Sequence, residues 1–120
     1  HIFPFSAREG TPAADLNERT PKSVMTERRR RLQEIEKENA QRYLQSLVGE
    51  QLEVLVETEV ADRPGYVKGT SCRYASVAFR GHLPALEGRR VPVRILGLES
   101  DMMIGKPELD STDRITLTIL

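Results

Sequence analysis

The chain has few of the residues on which enzyme chemistry usually depends. Its 120 residues include one cysteine, Cys72, two histidines, His1 and His82, and no tryptophan. A single cysteine can form neither an internal disulfide nor a multi-cysteine metal site, which favours a reducing compartment, and we expect the cytoplasm. No phosphate-binding loop, carboxylate pair or metal-ligand spacing accompanies the histidines. The sequence therefore predicts no catalytic residues and no metal site, and Cys72 and His82 are more typical of ordinary structural positions.

Long apolar runs are also lacking. No stretch approaches the roughly 20 apolar residues that a membrane-spanning helix needs, so we expect no membrane partner. The hydrophobic and charged fractions, 38% and 30%, are typical of a globular protein. The length allows one modest domain with an appendage. Because the chain starts at His1 without a methionine or a basic leader, we expect it to be a fragment of a longer protein.

Charge is balanced over the whole chain but not along it. The 18 lysine and arginine residues match the 18 acids. Between Arg63 and Arg94, however, seven basic residues face a single acid, which gives this stretch a net charge of +6. A basic stretch in a neutral chain indicates a polyanionic partner. Three aromatic residues, Tyr66, Tyr74 and Phe79, are interleaved with these charges and offer rings on which bases can stack, so nucleic acid is the first hypothesis.

The first third of the chain predicts a short strand and a long helix. His1–Ser6 (HIFPFS) is apolar and aromatic and is interpreted as a strand that leaves a core. Thr20 and Pro21 match an N-cap and a first helical residue, and Gly49 is typical of a helix end, which predicts a helix over residues 22–47. Its apolar residues fall close to one stripe: Met25, Leu32, Ile35, Tyr43 and Leu47.

The arginine-rich run Glu27–Arg31 (ERRRR) has two interpretations. Consecutive helical residues point in different directions, so they cannot all face one ligand. The run can form a solvated face with pairs four residues apart, such as Glu27 with Arg31 and Arg30 with Glu34. The alternative is a second RNA contact.

From residue 50 the apolar period changes from helical to two, which predicts short strands. Four or five strands with this spacing favour a small antiparallel barrel or sandwich. If Ala75, Val77 and Phe79 are buried, Tyr74 and Arg80 share the outer face. Pro92 lacks a donor, so its strand is predicted to be an edge or to carry the proline on an unpaired side. The predicted strands are Gln51–Val60, Tyr66–Lys68, Arg73–Arg80, Arg90–Leu96 and a last strand at Arg114–Leu120. Ala78 is predicted to face outward with Tyr74 and Arg80. The residues predicted to be buried in the first and fourth strands are Leu52, Val54, Val56, Thr58, Val60, Val91, Val93 and Ile95.

The candidate RNA-binding residues come from this region. We expect the basic side chains to contact phosphates and Tyr74 to stack on an unpaired base. In the alternative, Tyr74 is half-buried at a barrel end and the arginines pair with Glu53, Glu57 and Glu59 across the sheet. The candidates are Lys68, Arg73, Tyr74, Arg80, Arg89 and Arg90.

Two motifs resemble a known family. HIFPFS and the string GTPAA that follows at Gly10–Ala14 resemble the segment that closes the radical S-adenosylmethionine barrel in methylthiotransferases. The arginine-rich helix is similar to that family's connector, and residues 47–107 resemble its TRAM domain. The residues that carry the second likeness are Gly49, the VLVE run at 54–57, Gly65-Tyr66-Val67, Gly69, Tyr74–Val77, Gly88 and Gly105.

The resemblance implies an architecture that is mainly β. Residues 1–21 would end a radical S-adenosylmethionine barrel with a remnant strand, and residues 22–47 would form the connector helix. Residues 48–107 would form a small antiparallel, OB-like TRAM barrel that binds RNA. Residues 108–120 depart from the family pattern and are left as a tail with a possible extra strand.

The resemblance also implies a function in tRNA modification. HIFPFS is nearest the branch that methylthiolates threonylcarbamoyladenosine in tRNA, with the ribosomal-protein branch as an alternative. The family uses S-adenosylmethionine and two 4Fe–4S clusters, but this chain lacks the cluster cysteines, so it would hold no cofactor and be inactive alone. Its expected partners are the tRNA anticodon stem-loop and the missing N-terminal and radical domains. Two other classes stay open: a stand-alone RNA-binding module, and a protein-interaction scaffold built on the helix.

Overall fold

The computed structural model describes residues 1–16 and 18–108. The chain divides into two compact units, His1–Ala40 and Gln41–Leu120. The strand predicted at Arg114–Leu120 lies outside the described residues. Within the described residues, no helix is long and apolar enough to cross a membrane.

The first unit contains no strand among its described residues. Residues 1–8 adopt no regular secondary structure, and a short 3-10 helix follows at Pro12–Asp15. The strand predicted for His1–Ser6 is therefore not formed. The physical reason is that a strand needs neighbours for its backbone groups and its apolar face, and this segment has none. Phe3 and Phe5 accordingly stay 82% and 60% exposed.

Helix α1 spans Lys22–Ser46, close to the predicted bounds. The amide of Met25 donates to the carbonyl of Pro21 at 3.1 Å, which fits a proline at the helix start, where its missing N–H has no partner to lose. Gly49 has a φ of +90° just beyond the helix, a value at which a side chain would be strained. The predicted helix and its glycine stop are thus confirmed.

The charged run on α1 pairs within the helix. Arg30 bonds both Glu27 and Glu34, and Nε of Arg31 lies 3.2 Å from Glu27. These are the pairs three and four residues apart that the solvated-face interpretation predicts.

Five strands form a closed barrel in the second unit. In sequence order they are β1 (Gln51–Glu59), β2 (Tyr66–Ser71), β3 (Ser76–Arg80), β4 (Arg90–Glu99) and β5 (Met102–Pro107). Around the barrel the order is β1-β2-β3-β5-β4. All neighbours are antiparallel except β3 and β5, whose parallel pairing completes the ring. This confirms a mainly β fold in which one long helix precedes a small barrel.

Most of the residues that the alternating pattern placed in the barrel interior are buried: Leu52, Val54, Val56, Ala75, Val77, Phe79, Val91, Val93 and Ile95. Val67 and Met103, which the pattern did not assign, are buried with them. Thr58, predicted to be buried, is exposed because the β1–β2 register shifts between Val56 and Thr58, which turns the end of β1 outward. Ala78, predicted to face outward, is only 1% exposed.

Close backbone contacts and full closure explain other differences from the predicted strands. β2 does not stop at Gly69 but continues to Ser71. Glycine is present at this position because β1 passes very close: a Cβ here would lie 1.8 Å from the carbonyl oxygen of Leu55. The strand containing Pro92 is not an edge, since β4 pairs with both β1 and β5. The connection before it contains a one-turn helix, α2 (Leu83–Leu86), whose Leu86 is buried in the core.

Candidate nucleic-acid interface

The loop between β2 and β3, residues Cys72–Tyr74, is a compact three-residue hairpin turn. The amide of Ser71 donates to the carbonyl of Ala75, and the amide of Tyr74 donates to the carbonyl of Ser71, both at 2.9 Å. The hydroxyl oxygen of Ser71 accepts the amides of Arg73 and Ala75 at 3.3 and 3.1 Å. Tyr74 has a φ of +59°, the left-handed position of such loops that glycine or asparagine usually occupies.

The Tyr74 ring is the most exposed large hydrophobic side chain of the described residues, at 93%. This excludes the half-buried alternative. It also corrects the expected strand: β3 begins at Ser76, so Tyr74 belongs to the turn and does not share a strand face with Arg80. A left-handed tyrosine costs roughly 1–2 kcal/mol relative to ordinary backbone, so the surrounding hydrogen bonds must hold it there.

Neighbouring elements anchor this loop on both sides. The amide of Cys72 donates to the carbonyl of Glu53 on β1 at 2.8 Å. The hydroxyl of Tyr43, in the last turns of α1, donates to the carbonyl of Arg73 at 3.0 Å. A ring mounted on a loop fixed in this way can stack on a base with little loss of conformational entropy.

Lys68 and Arg80 lie on the outer side of the same hairpin. Lys68 pairs with Thr58 on β1 and with Ala78 on β3, and Arg80 lies opposite Tyr66. Arg80 is six positions beyond Tyr74 in the chain, which corresponds to at most about 20 Å of extended backbone. The hairpin thus carries Tyr74 and Arg73 at one end, Arg80 at the other and Lys68 between them.

Arg89 and Arg90 occupy a different position, at the start of β4. Both are exposed, and Arg90 lies opposite Leu55 of β1. On the barrel surface β1 therefore separates these two arginines from β2. Its Glu57 accepts hydrogen bonds from the hydroxyl of Thr70 at 3.2 and 3.3 Å. The six predicted residues consequently form two groups rather than one patch.

The ion pairs found in the barrel give little evidence against an RNA-binding surface. Nη2 of Arg63 lies 3.2 Å from Glu99, and Nε of Arg94 lies 3.0 Å from Glu108. Neither acid belongs to β1, on which the alternative interpretation relied. Lys68, Arg80, Arg90 and the side chain of Arg73 form no ion pair with another of the described residues. These four cations are available to phosphates.

Arg63 and Tyr66 were not among the predicted site residues. The guanidinium of Arg63 lies 4.8 Å from the centroid of the Tyr66 ring. Its Nη2 atom also lies 3.2 Å from a carboxylate oxygen of Glu99. With Arg80 opposite Tyr66, a second aromatic and basic group stands at the far end of the hairpin. The sequence contained both residues, but only the turn at Pro64 and Gly65 brings them together.

The described residues do not fit the cofactors that the family resemblance implies. They contain no group of three or more histidine, cysteine or acidic residues that could hold a metal ion. The chain has one cysteine, whereas a 4Fe–4S cluster is usually held by several thiolates.

The fold and these side chains define a small closed β-barrel with a basic, aromatic outer surface. No protein-family model matches the sequence. Curated relatives do match, and three of them share the name tRNA-2-methylthio-N(6)-dimethylallyladenosine synthase. That of Alkalilimnicola ehrlichii is 40% identical over 112 residues, 83% of this chain and 25% of the relative. That of Xanthomonas oryzae pv. oryzae is 37% identical over 92% of this chain and 22% of the relative. That of Chloroflexus aurantiacus is 34% identical over 93% of this chain and 24% of the relative.

The chain belongs to the methylthiotransferase family, which confirms the resemblance seen in HIFPFS and GTPAA. It spans about a quarter of the length of these relatives, consistent with a C-terminal segment. Their shared name refers to dimethylallyladenosine, so the threonylcarbamoyladenosine branch predicted from HIFPFS is not confirmed.

Proposed function

We propose that this chain is the C-terminal, tRNA-binding part of a tRNA methylthiotransferase and that the barrel holds the anticodon stem-loop while the rest of the enzyme modifies an adenosine. The observation that carries the proposal is Tyr74, whose ring is 93% exposed on a loop anchored by β1 and α1. A tyrosine with an unfavourable backbone conformation and a solvent-exposed ring does not stabilise the core. Stacking of the ring on an unpaired base explains why it stands there.

The cations supply the second part of the proposed interaction. Arg73 stands next to Tyr74, and Lys68 and Arg80 follow along the hairpin, where they contact phosphates of the same strand. Each phosphate contact to single-stranded RNA steepens the salt dependence of binding by about 0.7 in logarithmic slope. A stacked base contributes roughly 1–3 kcal/mol. Arg89 and Arg90 contact a more distant part of the stem-loop.

The acids of β1 orient the RNA. Glu53, Glu57 and Glu59 are all exposed on this strand and repel a polyanion from its middle. The RNA therefore follows the β2–β3 hairpin and reaches the start of β4 around the acidic strand. This polarity presents the bound loop in one direction to the catalytic part of the enzyme.

The chemistry itself is assigned to the part of the enzyme outside this chain. The family resemblance implies that the missing part holds S-adenosylmethionine and two 4Fe–4S clusters. The barrel of this chain binds and orients the RNA. The identity of the modified adenosine is decided in the missing part too. The names of the relatives support dimethylallyladenosine, and HIFPFS favours threonylcarbamoyladenosine, so stem-loops carrying either nucleoside should be compared in the full-length enzyme.

The test is binding of an anticodon stem-loop to the chain, measured by fluorescence anisotropy over a series of salt concentrations. Arg89→Ala with Arg90→Ala should weaken binding and reduce the salt slope by about 1.4, two phosphate contacts. The matched control is Lys22→Ala with Lys37→Ala, which removes the same charge from exposed positions of α1 outside the arginine-rich run. Unchanged affinity and slope in the first variant, or equal losses in both, would remove the proposed surface on β4.

The proposed parentage has a separate test. The coding sequence upstream of His1 should contain a Cys-x-x-x-Cys-x-x-Cys motif, the family's signature for the radical-generating cluster. If the natural gene lacks this cysteine motif, the chain is a stand-alone RNA-binding module. The stem-loop binding measurements then test its RNA surface without reference to an enzyme.

A further inference from the structure

Tyr43 has a contact that its place in the apolar stripe of α1 does not explain. Its side chain is 48% exposed, so burial accounts for only part of its role. Its hydroxyl donates to the carbonyl of Arg73 at 3.0 Å, across 30 residues of sequence. We propose that Tyr43 is a positioning residue that sets the orientation of the Tyr74 ring for base stacking. The inference rests on the proposed function of Tyr74.

The peptide group between Arg73 and Tyr74 connects the two tyrosines. Its carbonyl oxygen accepts the hydroxyl of Tyr43, and its N–H donates to the carbonyl of Ser71 at 2.9 Å. Because a peptide group is planar, bonds at both of its ends fix the rotation of the whole plane. That rotation determines φ of Tyr74, since φ describes the turn about the bond from this same nitrogen to Cα.

The anchor matters because the conformation it fixes is unfavourable. Tyr74 has a φ of +59°, and residues with a side chain occupy this region only when their surroundings hold them there. Without the hydroxyl of Tyr43, the carbonyl of Arg73 can find water in other orientations, and the peptide plane is free to rotate. The ring would then point outward for a smaller fraction of the time. Affinity falls by that fraction, because RNA binds the oriented ring.

The matched pair of variants is Tyr43→Phe and Thr26→Val. Each removes one hydroxyl of α1 that donates to a backbone carbonyl, but the carbonyl is that of Arg73 in the β2–β3 loop for Tyr43 and that of Lys22 within the helix for Thr26. We expect Tyr43→Phe to weaken binding of an anticodon stem-loop about 2- to 10-fold, the range for loss of one hydrogen bond. Thr26→Val should bind as the parent chain does. The salt slope should be unchanged in both, since no phosphate contact is lost.

Stem-loops with single abasic sites provide a readout that a merely structural role would not move. In the parent chain, one abasic position should cost affinity, because Tyr74 has lost the base on which it stacks. In Tyr43→Phe the penalty at that position should shrink while penalties elsewhere stay constant. Amide hydrogen exchange gives an independent measurement: exchange should accelerate at Tyr74, whose N–H lies in the released peptide, and not in the strands.

The two hypotheses fail in distinguishable ways. If Tyr74→Ala binds the stem-loop as tightly as the parent chain, stacking is wrong and the proposed function loses its main observation. If Tyr74→Ala weakens binding but Tyr43→Phe does not, only the positioning role is overturned. The positioning role is also overturned if Tyr43→Phe weakens binding by the same factor in the Tyr74→Ala background as alone. Non-additive losses would support it.

Discussion

Arg80 lies directly opposite Tyr66 in the antiparallel pairing of β2 with β3. Arg63 covers the same ring at 4.8 Å, so two arginines accompany this tyrosine. At the other end of the hairpin, Arg73 accompanies Tyr74. The β2–β3 hairpin therefore repeats one combination, an aromatic ring beside a cation, at both of its ends. In the proposed complex, a single RNA strand follows the hairpin from one ring to the other, with Lys68 in between.

Replacing Tyr74 should separate binding from stability. Tyr74→Ala should weaken binding of the stem-loop by roughly 1–3 kcal/mol, the contribution of one stacked base. Tyr74→Gly should weaken it equally, and its unfolding free energy should be unchanged or up to about 1 kcal/mol higher, because glycine accepts a φ of +59° without a steric cost. Thermal unfolding and anisotropy measure the two effects. A large loss of stability in Tyr74→Gly would mean that the ring serves the fold instead.

The charges of the hairpin should act through salt-dependent binding. Lys68→Ala and Arg80→Ala should each reduce the logarithmic salt slope by about 0.7, and the double variant should lose about 1.4. Lys106→Ala is the control, since Lys106 is an exposed cation on β5, outside the proposed path. Equal slopes for the parent chain and the double variant would exclude the hairpin as the route of the RNA.

Much of the barrel could be predicted from the sequence because alternation reports burial directly. Val91, Val93 and Ile95 alternate with Pro92 and Arg94 and are buried as predicted. The prediction was wrong where a local backbone event shifts the alternation. At Glu57 the β1–β2 register shifts, and near Tyr74 a three-residue turn ends the pattern. Neither event has a clear sequence signal, since neither position is a glycine.

The candidate site was predictable in composition but not in arrangement. Net charge and aromatic content selected the part of the chain in which Tyr74 is exposed, and its role in RNA binding stays a prediction. Which cations stand together depends on the strand order β1-β2-β3-β5-β4, in which the last two strands exchange places relative to the sequence. Arg89 and Arg90 are close to Arg80 in sequence, yet this order places β5 between β3 and β4, and β1 between β4 and β2.

Gly69 should be essential for closing the barrel. A Cβ on this residue would meet backbone atoms of Leu55 at 1.8 and 2.7 Å, and backbone cannot move aside as a flexible side chain can. Gly69→Ala should therefore separate β1 from β2 and destabilise the chain by about 1–3 kcal/mol, as other overpacked sites do. Gly97→Ala, where a Cβ meets nothing within 4 Å, is the matched control. Denaturant unfolding should show a loss in the first variant only.

Arg94 should stabilise the barrel through its geometry as well as its charge. Its Nε and Nη2 atoms each lie 3.0 Å from an oxygen of Glu108, and Nη1 donates to the carbonyl of Gly49 at 3.1 Å. The hydrogen bond to Glu108 raises the pKa of Arg94. Lysine cannot reproduce this fork, so Arg94→Lys should lower the melting temperature. Arg90→Lys, at an exposed position on the same strand, should leave it unchanged.

The helix should lose stability in acid through Glu27. Hydrogen bonds from Arg30 and Arg31 lower the pKa of this carboxyl below its usual value. A carboxyl whose pKa is lower in the folded state contributes stability that is fully present above the unfolded pKa and is lost as the pH falls through the folded pKa. Far-UV circular dichroism should therefore show helicity decreasing over this acid range. Glu27→Gln should flatten the decrease, whereas Glu36→Gln, which removes an acid without an ion pair among the described residues, should not. Identical acid profiles for the parent chain and Glu27→Gln would show that these exposed pairs contribute nothing to the helix.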